Sequence, residues 1–222
     1  MRLAVMGSGK GSNFQSMLDA VREGRLNAEI VCVISDHEDA FILERARQAD
    51  IPACTVDPAP FKTKLEGEAE RRVVDVLARH EADVLALAGF MRMVKGGLLA
   101  AFPRRIVNIH PSLLPAFPGL EVWRQALEYG VKMSGCTVHF VDHGMDTGPI
   151  IAQRAVPVFD DDTAATLHAR IQEQEHVLYP EVLQWIAEGR LRVEGRRVLG
   201  APEDACACGE RPPDRRMRWI HE

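Results

Sequence analysis

Asn108 and His110 alternate with Ile109 at the end of Arg105-Ile106-Val107-Asn108-Ile109-His110, so an extended backbone projects both to one face. They stand immediately before Pro111-Ser112-Leu113-Leu114-Pro115, where an apolar run gives way to a Pro-rich loop. An amide and an imidazole closing a buried strand cost free energy unless they find partners, and a ligand is one common partner there. Hydrogen bonds to the loop backbone would satisfy them as well.

A second candidate lies near the N-terminus. Gly7-Ser8-Gly9-Lys10-Gly11-Ser12-Asn13 follows a strand-like run and opens a helical pattern. Glycines let backbone approach a ligand, and a helix N-terminus offers unpaired N–H groups to an anion. In the free protein, Ser12 or Asn13 is expected to cap the helix. The Walker pattern fails because Lys10 is followed by glycine and the glycine spacing is wrong. The dinucleotide pattern fares better: Gly7 and Gly9 match and Asp36 ends the second strand, but Gly11 falls one position early. A monophosphate seat fits this turn and needs no adenosine pocket.

The third candidate is a carboxylate on an apolar stripe. Leu167, Ile171, Leu178 and Val182 share one face of a long helix, and Glu175 falls on that face, with Gln172 three residues earlier. A charge there costs several kcal/mol, on the order of 3, unless it is partnered. By spacing alone, a salt bridge to Arg170 or Arg154 serves as well as a ligand. Ser112 beside His110 invites a hydrolase reading, but no G-x-S-x-G elbow surrounds it. No metal is expected: there is no His-Glu-x-x-His, Cys206-Ala207-Cys208 lacks partner ligands, and His139 and His143 straddle a strand end.

The elements that must position these residues read as an α/β fold. Apolar runs at 3–6, 30–34, 53–56, 84–88 and 105–109 alternate with helical patterns at 13–22, 40–49, 62–79 and 97–102. Unbroken runs of this kind suit a mostly parallel, twisted, Rossmann-like sheet with helices on both faces, which binds ligands at the carboxyl ends of its strands. After His110 the pattern changes to a short helix near 121–129 and two extended runs, 134–141 and 149–158, that suit an antiparallel C-terminal pair. A long helix over 163–187 follows, so residues 1–200 read as one domain and 201–222 as a loosely ordered tail.

Composition narrows the partners. The chain has 222 residues, a formal net charge of -5 and no long Lys/Arg block, which argues against nucleic acid. No run reaches the ~18 apolar residues that span a bilayer. The five scattered cysteines suit a reducing cytoplasm rather than a disulfide framework. The expected partners are small molecules, with the chain a monomer or homodimer.

The stretch Asn108-Ile109-His110-Pro111-Ser112-Leu113-Leu114-Pro115 resembles the signature of the folate-dependent formyltransferases. Leu87-Ala88-Gly89-Phe90-Met91-Arg92 and Gly144-Met145-Asp146-Thr147-Gly148-Pro149 resemble the same family in the same order, over roughly residues 1–195. Gly11-Ser12-Asn13 resembles the turn that holds the substrate phosphate in the members acting on glycinamide ribonucleotide. The resemblance implies 10-formyltetrahydrofolate as co-substrate. It implies His110 as the catalytic histidine, Asn108 as the oxyanion-binding amide and Asp146 as the aspartate that raises the histidine's pKa. It also implies that Met91, Arg92, Met93 and Val94 grip the pterin through their backbone and that Lys64 replaces an arginine near the ligands. Glu175 matches the glutamate at the substrate's amine end, and Gln172 would help with the ribose or amide. Two departures are Lys10, where a smaller polar residue is usual, and Thr147, where glycine is common.

Amine attack on a formyl carbon creates an oxyanion, and one preorganised donor aimed at it is worth about 3–4 kcal/mol of barrier. Asn108, His110 and Asp146 are expected to form that cluster, with His110 or a water held by Asp146 moving the proton. The rival readings are transfer to a sugar-nucleotide amine, binding without catalysis, and an NAD-dependent dehydrogenase. Transfer to methionyl-tRNA would bring an extra C-terminal domain and more basic surface. Formyl-folate hydrolysis would bring an N-terminal regulatory domain, which the strand starting at residue 2 leaves no room for.

Overall fold

In the computed structural model, which describes residues 1–202, the apolar runs become strands and the amphipathic stretches pack over them. The chain runs β1 (Arg2–Met6), α1 (Ser12–Arg22), β2 (Glu29–Ser35), α2 (Phe41–Gln48) and β3 (Ala53–Thr55). Then come β4 (Lys64–Leu65), α3 (Glu68–Arg79), β5 (Val84–Leu87), β6 (Met93–Val94), α4 (Gly96–Ala101) and β7 (Ile106–His110). It closes with α5 (Val122–Tyr129), β8 (Met133–Phe140), β9 (Ile150–Pro157), α6 (Ala164–Ala187), β10 (Arg192–Glu194) and β11 (Arg197–Leu199).

Seven strands form one sheet in the order β3-β2-β1-β5-β7-β8-β9. The first five are mutually parallel and the β8–β9 pair runs antiparallel, as expected. Alternation along β1 shows why both faces need cover. Leu3 and Val5 pack with Phe14 of α1, Ile42 of α2 and Leu178 of α6, whereas Ala4 and Met6 pack with Val73 and Leu77 of α3 and Leu98 of α4. Thr163 starts α6 with a reciprocal capping box to Thr166.

Register decides where the site falls. Met6 pairs with Leu87, Leu87 with Asn108 and Asn108 with His139, so these four residues form one row across the sheet. β1 and β5 end at that row, and β7 carries His110 two residues beyond it.

Two expectations need correction. The helix expected over 62–79 begins only at Glu68, because Gly67 at φ 70 and ψ -128 holds a backbone turn that other residues resist. Residues 64–65 instead pair with Met93–Val94 in a short parallel ladder. The second difference is the β10–β11 hairpin, in which exposed Arg192, Glu194 and Arg197 alternate with half-buried Val193, Val198 and Leu199. The tail expected to be loosely ordered lies, from residue 203, outside the described residues.

Candidate active site

The strand-end pair is joined by two groups from distant loops. His110 Nδ1 stands 3.5 Å from Asp146 Oδ2, and both side chains are largely buried. The other ring nitrogen, Nε2, lies 2.9 Å from the Phe117 carbonyl oxygen. Both expected partners are thus present: a backbone carbonyl of the Pro-rich loop and the carboxylate. Asp146 is fixed in turn by the Gly119 N–H, which donates to Oδ2 at 3.0 Å. Ser112 is not a nucleophile here, since its hydroxyl donates to the Ala116 carbonyl at 2.6 Å.

Asn108 is oriented by a residue that spacing did not single out. Its Nδ2 lies 3.2 Å from His139 Nε2, while His139 Nδ1 lies 2.9 Å from the Phe140 carbonyl. Burial pushes the His139 imidazole below its ordinary pKa, which favours the neutral ring. The carbonyl requires a proton on Nδ1, so Nε2 accepts from the Asn108 amide. This leaves the second Nδ2 hydrogen of Asn108 for a ligand. His139 was visible only as one half of a doubtful metal pair with His143. Its alternation with Thr137 along β8 was legible, but the β7–β8 pairing that sets it opposite Asn108 was not.

Asn108, His110 and Asp146 border a cavity of about 300 Å³. Met91, Arg92, Met93 and Val94 also line it, with Trp123 and Met145 adding to an apolar surround. The Arg92 side chain is directed away from it. Its guanidinium pairs with Asp36 at 2.6 Å and donates to the Phe61 carbonyl at 3.0 Å and to the Lys62 carbonyl, so this segment is held by its backbone's neighbours. Lys64 is not among the residues that border the cavity. Its ammonium lies against Glu66 and 4.6 Å above the Phe61 ring, and Thr63 lines the cavity in its stead.

The Gly-rich turn is packed closely against α2. Gly11 has φ 73, and a Cβ there would lie 2.8 Å from Ile42, so only glycine is accommodated. Among the described residues no side chain caps α1, contrary to the expectation for Ser12 or Asn13. Asn13 is drawn away by Glu175, whose Oε2 accepts from its Nδ2 at 2.9 Å. Asp36, which a dinucleotide ribose would need, is occupied by Arg92.

Glu175 is 4% exposed, and among the described residues it has no cationic partner. The salt bridges foreseen as its alternative go elsewhere: Arg170 pairs with Asp162 and Arg154 with Glu181. Burial raises the Glu175 pKa, and the Asn13 hydrogen bond only partly offsets this. Asn13 Oδ1 is buried without a partner among the described residues. An uncompensated carboxylate and an orphan amide oxygen side by side suit a ligand that donates hydrogen bonds. Gln172 is half-buried one turn earlier, and His168 beyond it stacks on Trp123 at 3.7 Å between ring centroids.

The loop bearing Asp146 is closed tightly at its base. A Cβ at Gly148 would lie 1.7 Å from the Phe140 carbonyl oxygen. Gly148→Ala should therefore lower stability by about 3 kcal/mol in urea unfolding, at the upper end of overpacking costs. A loss under 0.5 kcal/mol would show that the loop base yields.

The Formyl transferase family model matches residues 1–183. The chain is 43% identical over 194 residues to phosphoribosylglycinamide formyltransferase of Escherichia coli (strain K12), covering 87% of this chain and 90% of that one. It is 42% identical over 183 residues to the Bacillus subtilis (strain 168) protein of the same name, covering 82% and 93%. The solved glycinamide ribonucleotide transformylase 1 from Symbiobacterium toebii superposes with a TM-score of 0.85 at 52% identity, covering 89% of this chain and 92% of that one. The chain belongs to the formyl transferase family.

Proposed function

We propose that this chain transfers the formyl group of 10-formyltetrahydrofolate to the amine of glycinamide ribonucleotide, a step of purine synthesis. The observation that carries the reading is the His110–Asp146 approach at 3.5 Å, beside Asn108 and an apolar cavity. The relatives named phosphoribosylglycinamide formyltransferase supply the acceptor. Residues 1–200 act as one domain, and the free cysteines Cys32, Cys54 and Cys136 suit a reducing cytoplasm.

In this reading the pterin lies against the backbone of Met91 to Val94. The phosphate sits on the N–H groups of Gly11, Ser12 and Asn13, and Gln172 and Glu175 meet the ribose and amine end. The substrate nitrogen attacks the formyl carbon, the new C–N bond forms and the bond to the folate nitrogen breaks. Asn108 donates its second amide hydrogen to the oxyanion. His110 exchanges the Phe117 carbonyl for the same oxygen, because an anionic acceptor is the stronger one. The amine's proton passes to the departing folate nitrogen through His110 or a water at Asp146.

A solved formyltetrahydrofolate deformylase from Pseudomonas syringae superposes with a TM-score of 0.83 at 29% identity, so water is the acceptor to exclude. Purified protein with formyl-folate should release tetrahydrofolate only when glycinamide ribonucleotide is present. Equal release without it would replace transfer by hydrolysis, and activity with only a sugar-nucleotide amine would move the acceptor.

A further inference from the structure

The loop over residues 142–148 carries Asp146 to His110. Inside the loop, Asp142 Oδ1 accepts from the Gly144 N–H at 3.1 Å and from the Thr147 hydroxyl at 2.6 Å. Among the described residues, two hydrogen bonds reach it from elsewhere. One is the Gly119 N–H on Asp146. The other comes from the far end of the chain, where Arg196 Nη2 donates to the Thr147 carbonyl at 2.9 Å.

Arg196 is well placed to hold something still. It occupies the turn of the β10–β11 hairpin, and Val193 and Val198 in the two strands pack against the main core. The hairpin is thus anchored at its base and reaches the loop at its tip. The carbonyl it grips belongs to the residue after Asp146, whose φ of 54 is a left-handed conformation that a non-glycine residue adopts under constraint. We propose that the C-terminal hairpin is an external brace for the Asp146 loop, with Arg196 as its positioning residue. The inference rests on the formyl-transfer reading only for its kinetic consequence. The guanidinium touches neither the cavity nor the reacting groups, so it acts through the Thr147 carbonyl alone.

The test compares Arg196→Met, Arg196→Lys and the neighbouring exposed Arg197→Met in the full chain. R196M should lower kcat about tenfold, the scale of a small misplacement of a reacting-site group, with KM for both substrates within twofold. Amide exchange should rise across 142–148 and not in β1 or β5. R196K should recover most of the rate, because an ammonium can reach the same carbonyl, and R197M should match wild type. Turnover by R196M within twofold of wild type, a rise in KM alone, or unchanged protection of 142–148 would each overturn the brace. If wild-type protein fails to formylate the ribonucleotide, the functional reading falls, while the exchange comparison still judges the brace on its own.

Discussion

Asn108→Ala should lower kcat by about 100- to 1000-fold with KM little changed, because the lost donor acts on charge that exists only in the transition state. His110→Ala should cost at least as much. Combining the two should cost far less than the product of the single losses, since both act on one oxygen. The companion substitution Asp146→Asn keeps the shape and can still accept from the Gly119 N–H, but removes the charge facing His110. Steady-state kinetics on all four variants decide the matter. Turnover by His110→Ala or Asp146→Asn within a fewfold of wild type would show that the cluster does not carry the chemistry. Asn108→Ala also strips His139 of its partner, so its stability should be measured beside its rate.

Glu175→Gln should separate function from stability in opposite directions. Asn13 can still donate to the amide oxygen of glutamine, so the packing survives. The charge-assisted contact to the substrate does not, and KM for the ribonucleotide should rise about 10- to 100-fold, matching roughly 1.5–3 kcal/mol for a hydrogen bond to a charged group. The stability change has a pH signature. Burial raises the folded-state pKa of Glu175, so the folded protein keeps a proton that the unfolded chain releases. Below the unfolded carboxylate pKa, near 4.3, wild type and variant should unfold alike. As pH rises from there to the folded value, wild type loses ground by about 1.4 kcal/mol for each unit separating the two. Above that window the glutamine variant should stay more stable by a constant amount. Urea unfolding of both proteins from pH 4 to pH 8 measures the difference. Equal stability throughout would mean that the carboxylate pays no burial cost and is not held in reserve for a ligand.

The parts of this molecule that local chemistry dictates could be read from the chain. The period-two placement of Asn108 and His110 at a strand end, and Glu175 on an otherwise apolar helical stripe, both reflect polar groups where packing alone would not place them. What escaped depends on pairings far apart in sequence. His139 acquires meaning only from the β7–β8 register, which sets it opposite Asn108. Asp36 looks like a ribose ligand until Arg92, 56 residues later, closes on it. The 62–67 segment is rich in helix-forming residues, yet the pairing with Met93–Val94 overrides that propensity.

Ser8 ties two regions together. Its N–H donates to the Gly89 carbonyl at 3.1 Å, and its hydroxyl oxygen accepts from the Met91 N–H at 3.0 Å. The seat proposed for a phosphate and the wall proposed for a pterin therefore share backbone, and a displacement of one is felt by the other. Cooperation between the two reactants, where it occurs, must be reciprocal: the factor by which the first tightens the second equals the factor by which the second tightens the first.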